Sequence, residues 1–154
     1  MSPDFRDLLA AFNAHGVEYL IVGAHALAAH GHVRATKDLD VFLRTSADNA
    51  TRAYAALADF GAPLHDLTEE DLRTPGVVFQ IGIPPLRIDL VTEIDGVEFA
   101  DAWNERVETT LAGIPVAVLS LADLIRNKKA AGRLQDLADV EALEKLTRER
   151  SGDR

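Results

Sequence analysis

Two carboxylates stand two residues apart in Asp38-Leu39-Asp40-Val41-Phe42-Leu43, an otherwise apolar run. Side chains alternate faces along a strand, so Asp38 and Asp40 share one face while Leu39, Val41 and Leu43 turn to the core. Two carboxylates side by side repel each other, and burying either is costly without a partner. A divalent cation held by oxygen ligands relieves both problems. An exposed edge strand with an acidic outer face explains the same pattern. Asp89 supplies a third acid in Leu86-Arg87-Ile88-Asp89-Leu90-Val91, where Ile88 and Leu90 take the opposite face. Three strand-borne aspartates fit a site for one or two magnesium ions. A salt bridge from Arg87, on the same face as Asp89, is the other reading.

Phosphate could meet these acids at Gly23-Ala24, where an apolar strand turns into an alanine-rich helix. Backbone N–H groups at a helix start attract phosphate. The segment has neither the Walker pattern nor the glycine-rich dinucleotide fingerprint. Arg34 and Thr36, just before the acids, either reach phosphate or belong to a solvated loop. Further on, Leu121, Leu124 and Ile125 define the inward stripe of a helix, and Lys128 falls at its centre. A lysine there finds an anion or stretches to solvent. Asp136 shares a stripe with Val140 and Leu143. It reads as Lys128's structural partner, or as an acid at a helix N-terminus. His30-Gly31-His32 lacks a third ligand at metal spacing and reads as surface loop. His25 reads as a half-buried histidine, Trp103 as a core or interface anchor, and Glu69-Glu70-Asp71 as a solvated loop.

The elements that must position these residues follow from periodicity and turn signals. Residues 4–15 form an amphipathic helix with Phe5, Leu8, Leu9 and Phe12 on one stripe, stopped by Gly16. Strands are expected over 18–22 and 38–43, with a helix over 24–30 between them. A helix spans 47–60 and ends at Gly61. Residues 62–76 read as loop with at most one helical turn. Strands over 77–83 and 86–91 flank Pro84-Pro85, which breaks a ladder. A hairpin around Ala112-Gly113 joins the halves of 107–118. Ser120-Leu121-Ala122-Asp123 resembles a capping box opening a helix through Ala131. A last helix covers about 134–146, and residues 148–154 form a flexible tail. Helices alternating with short buried strands imply one α/β (α+β) domain over 1–147, a mixed sheet flanked by helices with a C-terminal helical pair.

Composition narrows the function classes. The chain has 154 residues, 47% of them hydrophobic, which suits a single domain with a real core. Its net charge of -9 argues against nucleic-acid binding through bulk charge. A local basic cluster of Arg126, Lys128, Lys129 and Arg133 remains available for it. With no cysteine there is no disulfide, thiolate zinc site or cysteine nucleophile. No signal peptide or membrane-spanning run is evident, so a cytoplasmic protein without a membrane partner is expected.

Three ordered blocks carry a resemblance: Val22-Gly23-Ala24-His25-Ala26-Leu27, then Arg34-Ala35-Thr36-Lys37-Asp38-Leu39-Asp40 with Asp89 later, then Asn127-Lys128-Lys129 through Gly132-Arg133-Leu134-Gln135-Asp136-Leu137-Ala138-Asp139. The set resembles the DNA polymerase β-like nucleotidyltransferase superfamily, and its small bacterial branch related to AbiEii-type toxins. The likeness spans roughly residues 18–146. It implies a minimal nucleotidyltransferase fold and transfer of a nucleoside monophosphate from an NTP to an acceptor hydroxyl. Magnesium would be held by Asp38, Asp40 and Asp89. Gly23 and Ala24 would cradle phosphates, although Ala24 stands where the family usually has Gly or Ser. Lys128 would join the three acids as a catalytic group, with Arg34, Thr36, Arg133 and Asp136 on the nucleotide. The implied acceptors are a tRNA end, a protein side chain or a small molecule. The alternative is a catalytically silent nucleotide-binding or toxin–antitoxin module with a protein partner.

Overall fold

A computed structural model describes residues 2–33, 38–84 and 86–152. Arg34 and Thr36 lie outside them. The chain opens with helix α1 (Pro3–Ala14), whose Ser2 side chain accepts from Asp4 N as N-cap. Its expected stripe of Phe5, Leu8, Leu9 and Phe12 is buried, each side chain contributing roughly 1.5–3 kcal/mol. Strand β1 (Tyr19–Val22) is buried at every position, so both its faces are covered. It runs directly into α2 (Gly23–Ala29). Strand β2 (Leu39–Leu43) buries Leu39, Val41, Phe42 and Leu43 and leaves only Asp40 partly open. The alternation expected from the sequence therefore holds up to Phe42, whose ring is covered by Phe99 at 5.0 Å.

Helix α3 (Ala47–Phe60) has the expected bounds, with Ser46 as N-cap and Gly61 closing it at φ 91°. Only glycine adopts that φ without strain. The loop expected over 62–76 contains α4 (Glu69–Arg73), a short helix with a full capping box between Thr68 and Asp71. Glu69-Glu70-Asp71 is therefore the first turn of a helix rather than loop, its acids favoured by the helix dipole. Strands β3 (Val78–Ile81) and β4 (Ile88–Val91) are shorter than expected, because a turn in which Leu86 N donates to Ile83 O at 3.0 Å takes residues from both. A helix the sequence reading missed, α5 (Phe99–Asn104), follows; its cap residue Glu98 makes no side-chain cap bond, so the usual start signal is absent. Trp103 stacks on Phe99 and carries the Arg106 guanidinium 4.0 Å from its ring centre.

Strands β5 (Val107–Leu111) and β6 (Ile114–Val118) form the expected hairpin. Helix α6 (Leu121–Ala131) is capped by Ser120, which accepts from Asp123 N at 3.1 Å. The Asp123 carboxylate pairs with Arg126 instead of closing a capping box. Helix α7 (Leu134–Gly152) continues through residues 148–152, where a tail was expected. Arg150 Nη2 donates to His30 O at 2.7 Å and ties this end to the body.

The six strands form one mixed sheet in the order β3-β4-β2-β1-β6-β5. β1 pairs antiparallel with β2 and parallel with β6, while β2 runs parallel to β4. The expected mixed α+β architecture is present, with seven helices among the described residues. No helix there is long and apolar enough to cross a membrane.

One buried side chain locks the outer ends of β1 and β2. Asn49, on α3, is 1% exposed. Its Oδ1 accepts from Glu18 N at 2.7 Å, and its Nδ2 donates to Glu18 O at 3.0 Å and Arg44 O at 2.9 Å. Asn49→Ala would remove this partner from Glu18 N and Arg44 O, while Glu18 O keeps Arg44 N at 3.3 Å. Each group left without a partner costs about 1–3 kcal/mol. We expect a loss of about 3 kcal/mol in urea unfolding with the slope unchanged. A loss below about 0.5 kcal/mol would show that water replaces the clamp.

Candidate active site

Register brings the chemistry together. Val22 on β1 pairs with Asp40 on β2, and Asp40 pairs with Asp89 on β4. The glycine turn and two of the three acids thus lie in one row across three neighbouring strands. Asp38 stands two residues before Asp40 at the entrance to β2, where Arg87 N donates to its Oδ1 at 3.2 Å. A cleft of about 720 Å³ opens over this row, lined by Gly23, Ala24, Asp38, Asp40, Arg87, Asp89, Lys128 and Arg133, with Val22, Val91, Ile94 and Asn127 completing it.

Gly23 has φ 68°, a conformation L side chains rarely adopt. A Cβ there would overlap Asp40 Oδ2. Glycine is therefore required twice over, by the turn and by the acid pressed against it. Ala24 keeps its backbone at the cleft, and α2 has no side-chain cap competing for its first N–H groups.

Helix α6 and the turn that links it to α7 supply Lys128 and Arg133. Lys128, 7% exposed, sits with Nζ 3.4 Å from both Asp136 Oδ1 and Asp139 Oδ2. The structural partner considered for Lys128 is real, and it is double. Asp136 is 1% exposed and does not line the cleft. It lies behind Lys128 and Arg133, accepting from Arg133 N at 3.2 Å and from Arg133 Nε at 2.6 Å. Burial pushes its carboxyl up, but the Arg133 bonds and the Lys128 charge outweigh that and hold it below the usual carboxylate range. Asp136 thus acts on the cleft through two cations rather than on a ligand directly.

Asp139, also buried, accepts from Gln135 Nε2 at 3.0 Å and faces His32 Nε2 at 3.7 Å. His30 is buried, donating from Nε2 to Leu119 O at 2.8 Å, so the His30-Gly31-His32 segment is built into the fold rather than a free surface loop. His25 is half-buried, packs edge-on against Phe5, and is held neutral by burial.

Sequence reasoning gave no site role to Asn127 or Asp139. Asn127 lines the cleft and donates to Asp95 O at 2.9 Å, fixing α6 against the turn after β4. Gly96 in that turn leaves no room for a side chain, since a Cβ would come 2.7 Å from Ala130 Cβ. The Asp95-Gly96 pair is a turn signal the sequence reading did not use, and nothing local shows which helix it meets.

Residues 6–149 match the family described as nucleotidyltransferase of unknown function, DUF6036. The chain belongs to this nucleotidyltransferase family. Its fold is shared with solved structures at low identity. TM1012 from Thermotoga maritima, a candidate nucleotidyltransferase, is 16% identical over 95% of this chain and 91% of its own, with a TM-score of 0.58. ANT(2'')-Ia, in complex with adenylyl-2''-tobramycin, is 18% identical over 96% and 92%, with a TM-score of 0.59. The lincosamide antibiotic adenylyltransferase LnuA, lincomycin-bound, is 13% identical over 95% and 98%, also at 0.59. No curated protein matches the chain.

The charge pattern of this nucleotidyltransferase decides what its cleft accepts. Asp40 is pushed up to about 7, first by burial and then by the neighbouring charges of Asp89 and Asp38. Its carboxyl is close enough to hydrogen-bond Asp89. Such a pair is short of positive charge, and its all-oxygen donor set suits a hard divalent cation. Among the described residues, no three acids or histidines are gathered around one point tightly enough to hold an ion as they stand. The Arg87 guanidinium lies between Asp38 and Asp89 instead, 3.2 Å from Asp38 Oδ2 and 2.8 Å from Asp89 Oδ1. It marks a place where a cation is already stabilised. The donor set fits a divalent metal once that guanidinium moves.

Two expected outcomes follow for the nucleotidyltransferase without ligand. A carboxyl raised from 3.8 to about 7 keeps its proton in the fold while the unfolded chain loses it. The Asp40 contribution to folding stability must therefore fall as pH climbs from about 4 to about 7. With chelator present, Asp40→Asn should match wild type near pH 4 and exceed it in Tm near pH 8. An equal gap at both pH values would show that Asp40 is not raised. Lys128→Met leaves Asp136 and Asp139 buried with one cation fewer, and breaking such a group costs about 3 kcal/mol or more. Chemical denaturation should show that loss, and an unchanged midpoint would mean the two aspartates are served by other partners.

Proposed function

We propose that this nucleotidyltransferase moves a nucleoside monophosphate from an NTP to an acceptor hydroxyl, with magnesium held by Asp38, Asp40 and Asp89. The observation that carries the reading is the row Val22–Asp40–Asp89 across three strands, which puts a glycine turn and acids over one cleft with Lys128. Magnesium bound there supplies charge neutralisation on the triphosphate and lowers the pKa of the acceptor hydroxyl. Gly23 and Ala24 present backbone N–H groups to phosphate oxygens at the start of α2. Lys128 faces the transferred group as a fixed positive charge, held in place by Asp136 and Asp139. Arg133 adds a second cation at the rim.

In the reaction, the acceptor oxygen bonds to the α-phosphorus and the bond to the bridging oxygen of pyrophosphate breaks. The hydroxyl proton passes to the Asp89 carboxylate. Pyrophosphate leaves with the negative charge that Lys128 and Arg133 balance. Removing one such preorganised charge interaction costs about 100-fold or more in rate.

A small-molecule hydroxyl is the acceptor this reading favours. The net charge of -9 disfavours a polyanionic acceptor, and two fold neighbours are described with antibiotics or their adenylylated product. The expected cytoplasmic location belongs to the same reading.

Incubating the protein with magnesium and α-labelled NTPs in fractionated lysate tests it. Label should enter the small-molecule fraction, vanish with chelator, and fall by at least about 100-fold in Asp40→Asn. Label on a tRNA end or on protein would reassign the acceptor while keeping the chemistry. No transfer to any fraction, with NTP affinity equal in wild type and Asp40→Asn, would sink the enzymatic reading in favour of a silent module.

A further inference from the structure

Arg87 has no part in the reaction just described, yet it contacts two of the three acids directly. It engages all four of their carboxylate oxygens. Its backbone N donates to Asp38 Oδ1 at 3.2 Å and its Nη2 lies 3.2 Å from Asp38 Oδ2, while Nε and Nη2 donate to Asp89 Oδ1 and Oδ2 at 2.8 and 3.2 Å. A guanidinium and a divalent cation are like charges, and a few ångströms apart they repel strongly in a half-buried site. A metal shared by Asp38, Asp40 and Asp89 therefore cannot enter while Arg87 keeps this position.

The backbone at Arg87 is clamped to β2, while its side chain is held by the two acids themselves. Leu39 N donates to Arg87 O at 2.9 Å, which together with the bond from Arg87 N to Asp38 clamps the main chain onto β2. The side chain is 29% exposed and lines the cleft. Its planar fork suits phosphate as well as carboxylate. The other cations at the cleft differ. Lys128 is buried between Asp136 and Asp139, and Arg133 is bonded to Asp136 through both backbone and side chain. Neither of their partner aspartates lines the cleft. Among the described residues, Arg87 is thus the cleft cation whose partners an incoming metal would itself claim.

We infer that Arg87 is an exchangeable counter-ion: it holds Asp38 and Asp89 in the empty cleft and passes to the triphosphate when metal and nucleotide enter together. The inference rests on the metal–nucleotide reading of the cleft. It makes the two ligands interdependent. Metal alone must expel a guanidinium with nowhere to go, and NTP alone meets three bare acids. Together, the metal takes the acids and the phosphates take Arg87. Such coupling between two ligands is typically worth about 5–150-fold in affinity, and it is reciprocal.

The test measures Mn2+ binding by electron paramagnetic resonance, with and without α,β-methylene analogues of each common NTP. Wild type, Arg87→Gln and Arg87→Lys are compared, with circular dichroism as the check on folding. In wild type, the analogue should tighten Mn2+ binding by about 10-fold or more. Arg87→Gln should bind Mn2+ alone about 10-fold more tightly than wild type and lose most of the coupling. Arg87→Lys, which keeps the charge but not the fork, should fall between.

Mn2+ that binds wild type and Arg87→Gln equally without nucleotide overturns the exchange and leaves the metal–nucleotide reading intact. Mn2+ that fails to bind wild type even with every analogue overturns that underlying reading and the exchange with it. If Arg87→Gln does not fold, wild type still decides, because Mn2+ affinity indifferent to the analogues overturns the exchange.

Discussion

Like-charge repulsion among Asp38, Asp40 and Asp89 is the constraint around which this molecule is arranged. Sheet register fixes Asp40 beside Asp89, and a two-residue step fixes Asp38 on the same side. None of the three can retreat, because β2 and β4 lie inside the sheet, with Leu39, Val41, Phe42, Leu43, Ile88 and Leu90 buried. The molecule meets the repulsion in two ways at once. Asp40 stays protonated up to about 7, and Arg87 bridges the other two acids. Both are weaker answers than a divalent cation, which is why the cleft reads as one prepared for a ligand.

The second layer of charge lies on the far side of the cleft and obeys the opposite logic. Lys128, Asp136 and Asp139 are each at most 7% exposed, so none can exchange water for its partners cheaply. Pairing them with one another, and with Arg133, Gln135 and His32, gives a rigid electrostatic wall. A lysine held this way is a fixed charge, which suits stabilising charge that moves during phosphoryl transfer. The division of labour is between Arg87, whose partners are the acids of the cleft, and Lys128, whose partners lie behind it.

The fold serves these two layers with economy. Glycine at position 23 lets the strand turn into a helix at the point where Asp40 presses against the backbone. Asn49 clamps the outer ends of β1 and β2, so the register that aligns Val22, Asp40 and Asp89 cannot slip. The turn at Gly96 and the bond from Asn127 to Asp95 set α6 against the strand that carries Asp89. Fold neighbours at 13–18% identity share the backbone fold over 91–98% of their own length.

Much of this was legible in the sequence, because it depends on local rules. The period-2 pattern of 38–43 put Asp38 and Asp40 on one face, and the stripe of Phe5, Leu8, Leu9 and Phe12 announced α1. The helix expected over 47–60 and stopped by Gly61 is α3 to the residue. Where local signals were missing, the reading failed: α5 starts without a side-chain cap, and α7 outlasts its apolar periodicity because Arg150 is tied to His30. The partners of charged residues were decided only by the tertiary structure. Arg87 shares a face with Asp89 by spacing, but its reach to Asp38 depends on β4 lying beside β2, a pairing between residues far apart in the chain. Lys128 was visibly inward, yet only the packing of α7 on α6 shows that two buried aspartates receive it. Periodicity fixes which way a side chain points. What stands opposite is set by contacts between distant segments, and no local pattern encodes those.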